Sequence, residues 1–378
     1  MIPIAAHRRT SLDLLRFVAI FVVLFHHLHL EENAEHGLLL QGLIRGGWVG
    51  VDLFFVLSGF LIGGLLFSEL QETGEIRFAR FFTRRAFKIL PSAYALLFVT
   101  VLNYLRIGQL TPDLRIRAIH DLFFIQNYLG PLNSLTWSLA VEEHFYLLLP
   151  LTLFLLMKLQ SKKIGRGMDE IPRLCVILVI VTLAIRTYNA LTTPFNIYVH
   201  YFPTHIRLDS LMFGVLLAFW YSYQNPRMVA LGKKYRYPFL GIAILLYAPP
   251  FIVNRENLYH TTVGYLVYSC GAMMAICALA TMEIKSKILN GLAVIGRFSY
   301  SIYIWHSFVR EALVNIFRRF PDNDFWLQTL CYILGSIGFG ILMGKVIEIP
   351  FIKLRERFFP SRRQSQRNFK PTPASVVS

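Results

Sequence analysis

The sequence predicts an all-α protein, a polytopic bundle of about ten transmembrane helices with both termini in the cytoplasm. Apolar runs of about 20 residues, the length that crosses a bilayer as a helix, recur along the 378 residues. Charged residues make up only 16% of the chain and hydrophobic residues 55%, whereas soluble domains average about 25% charged residues. These proportions favour one membrane-embedded bundle with little room for a soluble domain.

The apolar runs define the individual spans, with boundaries good to a few residues. They fall roughly at 12–30, 48–69, 86–105, 136–157, 173–191, 206–223, 238–254, 260–281, 298–317 and 325–348. The aromatic segment 118–129 is too short to span, so we predict an interfacial or re-entrant segment there. Residues 1–352 form the predicted transmembrane domain, and residues 353–378 form a basic tail that is disordered or rests on anionic lipid.

Lysine and arginine set the predicted orientation, because basic loops stay in the cytoplasm. They concentrate in alternate connections, at 77–88, 158–173, 227–236, 285–297 and 353–370. The first connection on the opposite side, residues 30–37, is acidic. The net charge of +16 is thereby explained by cytoplasmic loops, and we expect no nucleic-acid partner. The four cysteines lack CxxC spacing, which predicts neither a disulfide nor a zinc site.

The first span carries ionisable residues that an ordinary membrane anchor would not need. Arg16 lies near its start, and His26 and His27 lie near its end. At about 100° per residue, eleven steps bring Arg16 and His27 to within roughly 20° of one face, about 16 Å apart along the axis. Such residues mark a functional site by default. The alternative is that Arg16 reaches the headgroups and the histidines mark the helix end. The HHLH run lacks the i, i+4 histidine pair of a zinc helix, so we predict no metal.

The predicted orientation of each span in the membrane gives the depth of its residues in the bilayer. Several spans then carry polar residues at similar depth. Those predicted toward the outer side are His27, Asp52, Glu142, Glu143, Arg207 and Asp209, and His306 is predicted near mid-depth. Those predicted near the cytoplasmic side, where they would attract an anionic ligand, are Arg16, Arg84, Arg85, Lys88 and Arg297.

Each of the outer residues also has a purely structural interpretation. Asp52 fits the first turn of a helix, where the dipole favours a carboxylate. Arg207 and Asp209 fit an ion pair at the rim, and His306 fits helix packing. Glu142 and Glu143 cannot share one face, because adjacent helical residues lie about 100° apart. The agreement in depth across five spans favours a common cavity.

Seven blocks of sequence follow one another in order along nearly the whole chain. They are Arg16 with His27, GVDLFFVLSGFLI (50–62), FFTRRAFKILPSAY (81–94), TWSLAVEEHFYLLLP (136–150), HIRLDSLMFGVLLA (205–218), IGRFSYSIYIWHSFV (295–309) and EIPFIKL (348–354). Together they resemble the motifs of acyltransferase family 3, integral membrane enzymes that move acyl groups, usually acetyl, onto extracytoplasmic sugars and related acceptors. Lys88 replaces a common arginine and His144 a usual glutamine, which leaves the role of position 144 open. The resemblance is to the stand-alone form without a C-terminal SGNH domain.

The resemblance implies a multi-pass O-acyltransferase of the bacterial inner membrane. Acyl-CoA, most simply acetyl-CoA, would be a cytosolic co-substrate, and no bound cofactor is implied. The acceptor would be a hydroxyl of an extracytoplasmic carbohydrate, a lipid-linked glycan or a small molecule, with membrane lipid as a further partner. Acetyl is favoured over longer acyl groups only by its frequency in the family.

The resemblance and the chemistry together assign roles to the motif residues. His27 is the expected general base, oriented by one of Asp52, Glu142 and Glu143, with Arg16 at the mouth of the channel. Bidentate arginine suits phosphate, so the expected acyl-CoA seat is Arg84, Arg85 and Lys88. The expected acceptor contacts are Arg207, Asp209, Trp305 and His306. Direct transfer and an acyl-histidine intermediate both remain open.

Two other classes of protein share some of these features. Intramembrane ionisable residues also mark the proton or anion pathway of a transporter. The sequence shows no pair of Gly/Pro-broken spans at corresponding places in two halves, the usual indication of a transport site. A non-enzymatic scaffold would leave the deep polar residues without a purpose.

Overall fold

The structure is a computed structural model that describes residues 10–28, 37–160, 170–319 and 324–359, and these ranges contain helices and no strand. The α-helices are α1 Thr10–His26, α2 Leu38–Gly46, α3 Gly50–Thr73, α4 Phe78–Arg106, α5 Pro112–Leu122, α6 Gln126–Leu129, α7 Trp137–Gln160, α8 Glu170–Thr192, α9 Ile197–His200, α10 Leu208–Tyr223, α11 Asn225–Lys234, α12 Arg236–Leu246, α13 Pro249–Ile252, α14 Tyr265–Leu279, α15 Lys287–Arg297, α16 Ser299–Phe317, α17 Phe325–Met343 and α18 Ile349–Phe358. Short 3₁₀ turns at Gly47–Val49, Ser134–Thr136 and Thr204–Ile206 and π-helical turns at His260–Gly264 and Gly344–Glu348 join several of them.

The predicted all-α architecture is confirmed for the described residues. The described part of each predicted span is mainly helical, and the span predicted at 238–254 is divided between α12 and α13. Within the described ranges, six helices are long and apolar enough to cross a membrane: Leu38–Thr73, Phe78–Arg106, Ser134–Lys158, Glu170–Thr192, His260–Leu279 and Phe325–Phe358. The total of ten spans and the cytoplasmic location of the termini stay predictions.

Helix α3 lies at the centre of the bundle, in contact with α1, α7, α10 and α14. Its side chains are buried along most of its length, including those of Phe55 and Phe60. Small residues let α10 approach it closely. A Cβ atom at Gly59 would overlap the Leu211 carbonyl oxygen, and one at Gly214 would overlap the Val56 carbonyl oxygen. Glycine at these two positions therefore fixes the distance between the central helices.

Helix α1 lies between α3 on one side and α15 and α16 on the other. A Cβ atom at Gly296 would overlap the Asp13 carbonyl oxygen, so α15 also packs backbone against backbone. This close approach places the next residue, Arg297, beside the Asp13 carboxylate, 3.3 Å from nitrogen to oxygen.

Helix α18 crosses the predicted boundary between bundle and tail at residue 353. Helix α18 continues to Phe358 and packs on α4. Arg84 Nη2 donates to Glu356 Oε1 over 2.8 Å and Arg84 Nη1 donates to the Phe359 carbonyl over 2.8 Å. These bonds order a basic segment that its composition alone would leave as a tail. Residues 360–378 lie outside the described part of the chain.

The segment predicted as interfacial or re-entrant at 118–129 forms the end of α5 and the short α6. Thr111 caps α5 by accepting from the Leu114 N–H. The Asp121 carboxylate then anchors the following loop by accepting from the Leu132 N–H over 2.6 Å and from the Thr136 hydroxyl. Burial raises the pKa of Asp121 to about 6. The interfacial location of this segment stays a prediction.

Candidate active site

His27 follows the last turn of α1 and is half-buried. Its Nδ1 lies 2.9 Å from the Val23 carbonyl oxygen. A carbonyl only accepts, so in the neutral imidazole the proton sits on Nδ1 and Nε2 is the basic nitrogen. The backbone of α1, one turn back, therefore orients the ring.

His306 on α16 faces His27, with the two ring centroids 5.0 Å apart. It is fully buried, and its Nδ1 lies 2.6 Å from the Tyr303 carbonyl oxygen. The same argument makes Nε2 of His306 the basic nitrogen. The structure thus brings two imidazole rings together at one end of α1. Trp305, in contrast, packs its ring on Phe308 and Phe339, an arrangement typical of packing against α17.

Polar residues at helical spacing continue from the histidines along α16 and α7. Tyr300, Tyr303 and His306 follow one another every three residues on α16, and Ser138, Glu142 and Tyr146 every four on α7. These six residues are called the polar path below. The two rows meet where Ser138 Oγ and the Tyr303 hydroxyl lie 2.7 Å apart. The Tyr303 hydroxyl also donates to the Leu135 carbonyl over 2.9 Å.

Glu142 lies in the polar path but does not bind a histidine. Ser58 donates to its Oε1 over 3.0 Å and Tyr146 to its Oε2 over 2.6 Å. Its charge interacts with Lys88 and Arg85, so it belongs to the basic end of the path. The adjacent Glu143 carries one buried oxygen without a hydrogen-bond partner among the described residues.

Cationic residues from three helices gather at the opposite end of α1 from His27. Arg16 pairs with Asp13 at 2.5 Å, and Arg297 shares the same carboxylate.

Lys88 is within electrostatic range of Arg85, Arg16 and Glu142. The Arg85 guanidinium lies 5.6 Å from the centre of the Tyr146 ring. Arg16, Arg85, Lys88 and Arg297, called the basic cluster below, thus adjoin the polar path.

Arg84 is not part of the basic cluster. Its guanidinium is held by Glu356 and by the Phe359 carbonyl, both at the end of α18. The expected phosphate seat of Arg84, Arg85 and Lys88 is therefore divided. Lys88 and Arg85 lie beside the polar path, and Arg84 binds the last helix.

Asp52, Arg207 and Asp209 form part of a separate, closed ion-pair network. Arg207 pairs with Asp52 at 2.7 Å, and both side chains are fully buried. Asp209 pairs with Arg186 of α8 at 2.7 Å, also buried. Tyr265 lies between the pairs, 4.0 Å from the Arg207 guanidinium to the ring centre. Asp52 Oδ2 has no hydrogen-bond partner within the described ranges, so this carboxylate does not orient His27.

The burial of these pairs changes what was expected of Arg207 and Asp209. Contact with an acceptor would require breaking ion pairs that have no exposure to solvent. Leaving either partner uncompensated in the interior costs several kcal/mol, about 3–5. The structure therefore disfavours direct acceptor contact by these residues and indicates a role in fixing α3, α8 and α10.

A model of the acyltransferase 3 family, described as an acyltransferase domain, matches residues 9–345. The chain belongs to acyltransferase family 3. It is 31% identical to O-acetyltransferase OatA of Staphylococcus aureus strain NCTC 8325, an alignment that covers 78% of this chain and 49% of that protein.

A putative O-acetyltransferase of Staphylococcus aureus strain COL is 30% identical, over 91% of this chain and 57% of the relative. The chain thus spans about half the length of the curated relatives it matches. No solved structure matches it. Family membership and the apolar helices identify a multi-pass integral membrane protein.

Several residues of this acyltransferase-family site were not singled out from the sequence. Tyr303, Ser138 and Tyr146 could have been found from their spacing, because each falls one helical turn from a residue that was chosen, and Tyr300 falls two turns from His306. Arg186 stands alone in an apolar helix, which is itself a signal of a buried partner. His144 lies apart from the polar path, with Nδ1 2.7 Å from the Thr204 hydroxyl.

The described residues contain no group of three or more metal-binding side chains. His29, the last histidine of the HHLH run, lies outside the described part of the chain. The prediction of a metal-free site therefore stays a prediction.

Proposed function

We propose that the chain transfers an acyl group, most simply acetyl, from cytosolic acyl-CoA to a hydroxyl of an extracytoplasmic glycan or related acceptor. The observation that carries this proposal is the polar path, which joins the basic cluster at one end of α1 to the His27–His306 pair at the other. The O-acetyltransferase relatives support the same reaction. In this proposal the basic cluster faces the cytoplasm of a bacterial cell and His27 lies toward the opposite side of its inner membrane.

The spacing of Arg16 and His27 matches the length of the donor's arm. They are eleven residues apart on a helix, about 16 Å at 1.5 Å per residue. Thirteen bonds separate the sulfur of CoA from its first phosphorus, and an extended chain advances roughly 1.2 Å per bond, about 15 Å in all. Phosphates bound at Arg16, Arg85 and Lys88 would therefore allow the thioester to reach His27. The nucleotide itself need not enter the membrane.

The histidine pair supplies the acid–base chemistry of this reaction. Nε2 of His27 takes the proton from the acceptor hydroxyl as its oxygen attacks the thioester carbonyl. The carbon–sulfur bond breaks, the CoA thiolate leaves and takes up a proton, and the acceptor retains the acyl group as an ester. An acyl-histidine on His27 would divide this into two steps. Nε2 of His306 has no hydrogen-bond partner among the described residues, so it would accept a hydrogen bond from an acceptor hydroxyl or a water.

The transporter interpretation is weaker than the enzyme interpretation. The chain belongs to a family of acyltransferases, and the buried charges of α3, α8 and α10 are held in the Asp52–Arg207 and Arg186–Asp209 ion pairs. Dependence on acyl-CoA rather than on an ion gradient would distinguish the two functions.

The test is release of CoA from acetyl-CoA by the purified protein in nanodiscs, with water or an added glycan as acceptor. General-base catalysis contributes about 10²–10⁴-fold, so His27→Ala should lose at least that factor. Lys233→Ala, an exposed basic residue far from the path in sequence, is the matched control. Near-normal release by folded His27→Ala protein would overturn the assignment.

A further inference from the structure

An open groove lies between the first turns of α4 and the end of α18, with a volume of about 440 Å³. Its lining residues are Arg77, Ala79, Arg80, Thr83, Phe358 and Phe359. Both phenylalanines are exposed, Phe358 at 62% and Phe359 at 42%. Nothing in the reaction derived above uses this groove.

The groove combines two kinds of recognition chemistry. The guanidinium groups of Arg77 and Arg80 match phosphate oxygens, which arginine binds in bidentate fashion. Exposed aromatic rings stack on nucleobases. A groove that can bind both a phosphate and a nucleobase has the chemistry to bind a nucleotide.

The position of the groove relates it to the basic cluster. Arg80 lies five residues before Arg85 on α4, about 8 Å along the helix axis. Arg84, between them, holds the second wall of the groove in place through Glu356 and the Phe359 carbonyl. A ligand with its pyrophosphate at Lys88 and Arg85 would therefore extend its far end along α4 into the groove.

We propose that this groove binds the nucleotide end of acyl-CoA, the adenosine 3′,5′-bisphosphate portion, outside the bundle. This proposal rests on the proposed function, because it names where the remainder of that donor is held. The arm enters between the helices at the basic cluster, and the base and the 3′-phosphate stay at the surface on Phe358, Phe359, Arg77 and Arg80.

The test compares two donors in neutral phosphatidylcholine nanodiscs: acetyl-CoA and acetyl-4′-phosphopantetheine, which lacks the nucleotide. The variants are the double variant R77A/R80A and Phe358→Ala, with Lys233→Ala as the control and thermal unfolding as the check of folding. Loss of contacts to a charged group should raise the KM for acetyl-CoA by about tenfold. The kcat and the KM for the truncated donor should not change. Direct binding of adenosine 3′,5′-bisphosphate should weaken by a similar factor.

The possible outcomes distinguish failure of the groove assignment from failure of the proposed function. If wild-type protein turns over acetyl-CoA and the variants keep its KM, the groove assignment is wrong and the proposed function stands. If neither donor is turned over, the proposed function fails, and binding of adenosine 3′,5′-bisphosphate that the variants lose would still support the groove. An effect seen only in phosphatidylglycerol nanodiscs would assign the arginines to lipid headgroups and overturn the proposal.

Discussion

At the scale of single residues, the charged side chains of the bundle divide into two sets by their exposure. Arg207, Asp52, Arg186 and Asp209 have at most 1% of their side chains exposed, and each has an ionic partner. Arg16 keeps 25% of its side chain exposed, and Lys88, Arg85 and Glu142 are also partly exposed. Closed pairs stabilise one arrangement of helices, whereas partly exposed groups can exchange partners with a ligand.

The closed pairs make a prediction about stability. Arg207→Ala leaves the Asp52 carboxylate buried and uncompensated, so it should destabilise the protein by about 3–5 kcal/mol. The double variant D52L/R207M replaces both charges by apolar groups and should recover most of that loss. Denaturant unfolding in detergent measures both effects. Equal destabilisation by the single and the double variant would contradict a role for the charge itself.

At the scale of helices, α4 presents neighbouring cations to different partners. Arg84 binds the end of α18, while Lys88, one turn further on, interacts with Arg16 and Glu142. Sequence alone grouped the two residues in one phosphate site, because it shows their spacing but not which helix covers each of them. The same limit hid the pairing of Asp209 with Arg186, which depends on the contact between α8 and α10.

The different partners of Arg84 and Lys88 predict different kinetics. With acetyl-4′-phosphopantetheine as donor, Lys88→Ala should raise the KM about tenfold because a charge-assisted contact to phosphate is lost. Arg84→Ala should leave that KM within about threefold, since its contacts are to Glu356 and a carbonyl. Steady-state assays with acetyl-4′-phosphopantetheine as the donor compare the KM values of the two variants directly. A larger effect of Arg84→Ala would place the phosphate at Arg84, one turn nearer the start of α4.

The packing of α3 on α10 makes a second prediction at this scale. Gly59→Ala places a methyl group against the Leu211 carbonyl, and such overpacking costs about 1–3 kcal/mol. Gly291→Ala, in α15 with open space around its Cβ position, is the matched control and should be neutral or slightly stabilising. Thermal unfolding in one detergent gives both values. A stable Gly59→Ala protein would show that the two helices can separate.

At the scale of the whole molecule, the sequence predicted the helices well because apolar runs of membrane length are unambiguous. It also placed Arg16 and His27 on one face, since both lie on one helix. It could not show that His306 meets His27, because depth along the membrane does not reveal which helices are neighbours. It ended the ordered chain too early, because the basic residues of α18 resemble a tail until their contact with Arg84 is known.

The predicted orientation can be tested by labelling with a membrane-impermeant maleimide in intact cells. In a background without the four native cysteines, Leu38→Cys, on an exposed residue that follows the acidic connection, should react from outside. Lys233→Cys, on a basic connection, should react only after the membrane is opened. Both positions are exposed, so accessibility within the protein does not limit the reaction. The reverse pattern would invert the membrane orientation.

The central claim is that the acyl group enters at the basic cluster and leaves from His27 at the other end of the path. The most direct measurement places acetyl-CoA with a radiolabelled acetyl group outside sealed proteoliposomes, where only molecules whose basic cluster faces outward can bind it. CoA should accumulate outside while labelled acetate or acetylated acceptor accumulates in the lumen, and His27→Ala should abolish both. Appearance of CoA and the labelled acetyl product on the same side would contradict transfer along the path.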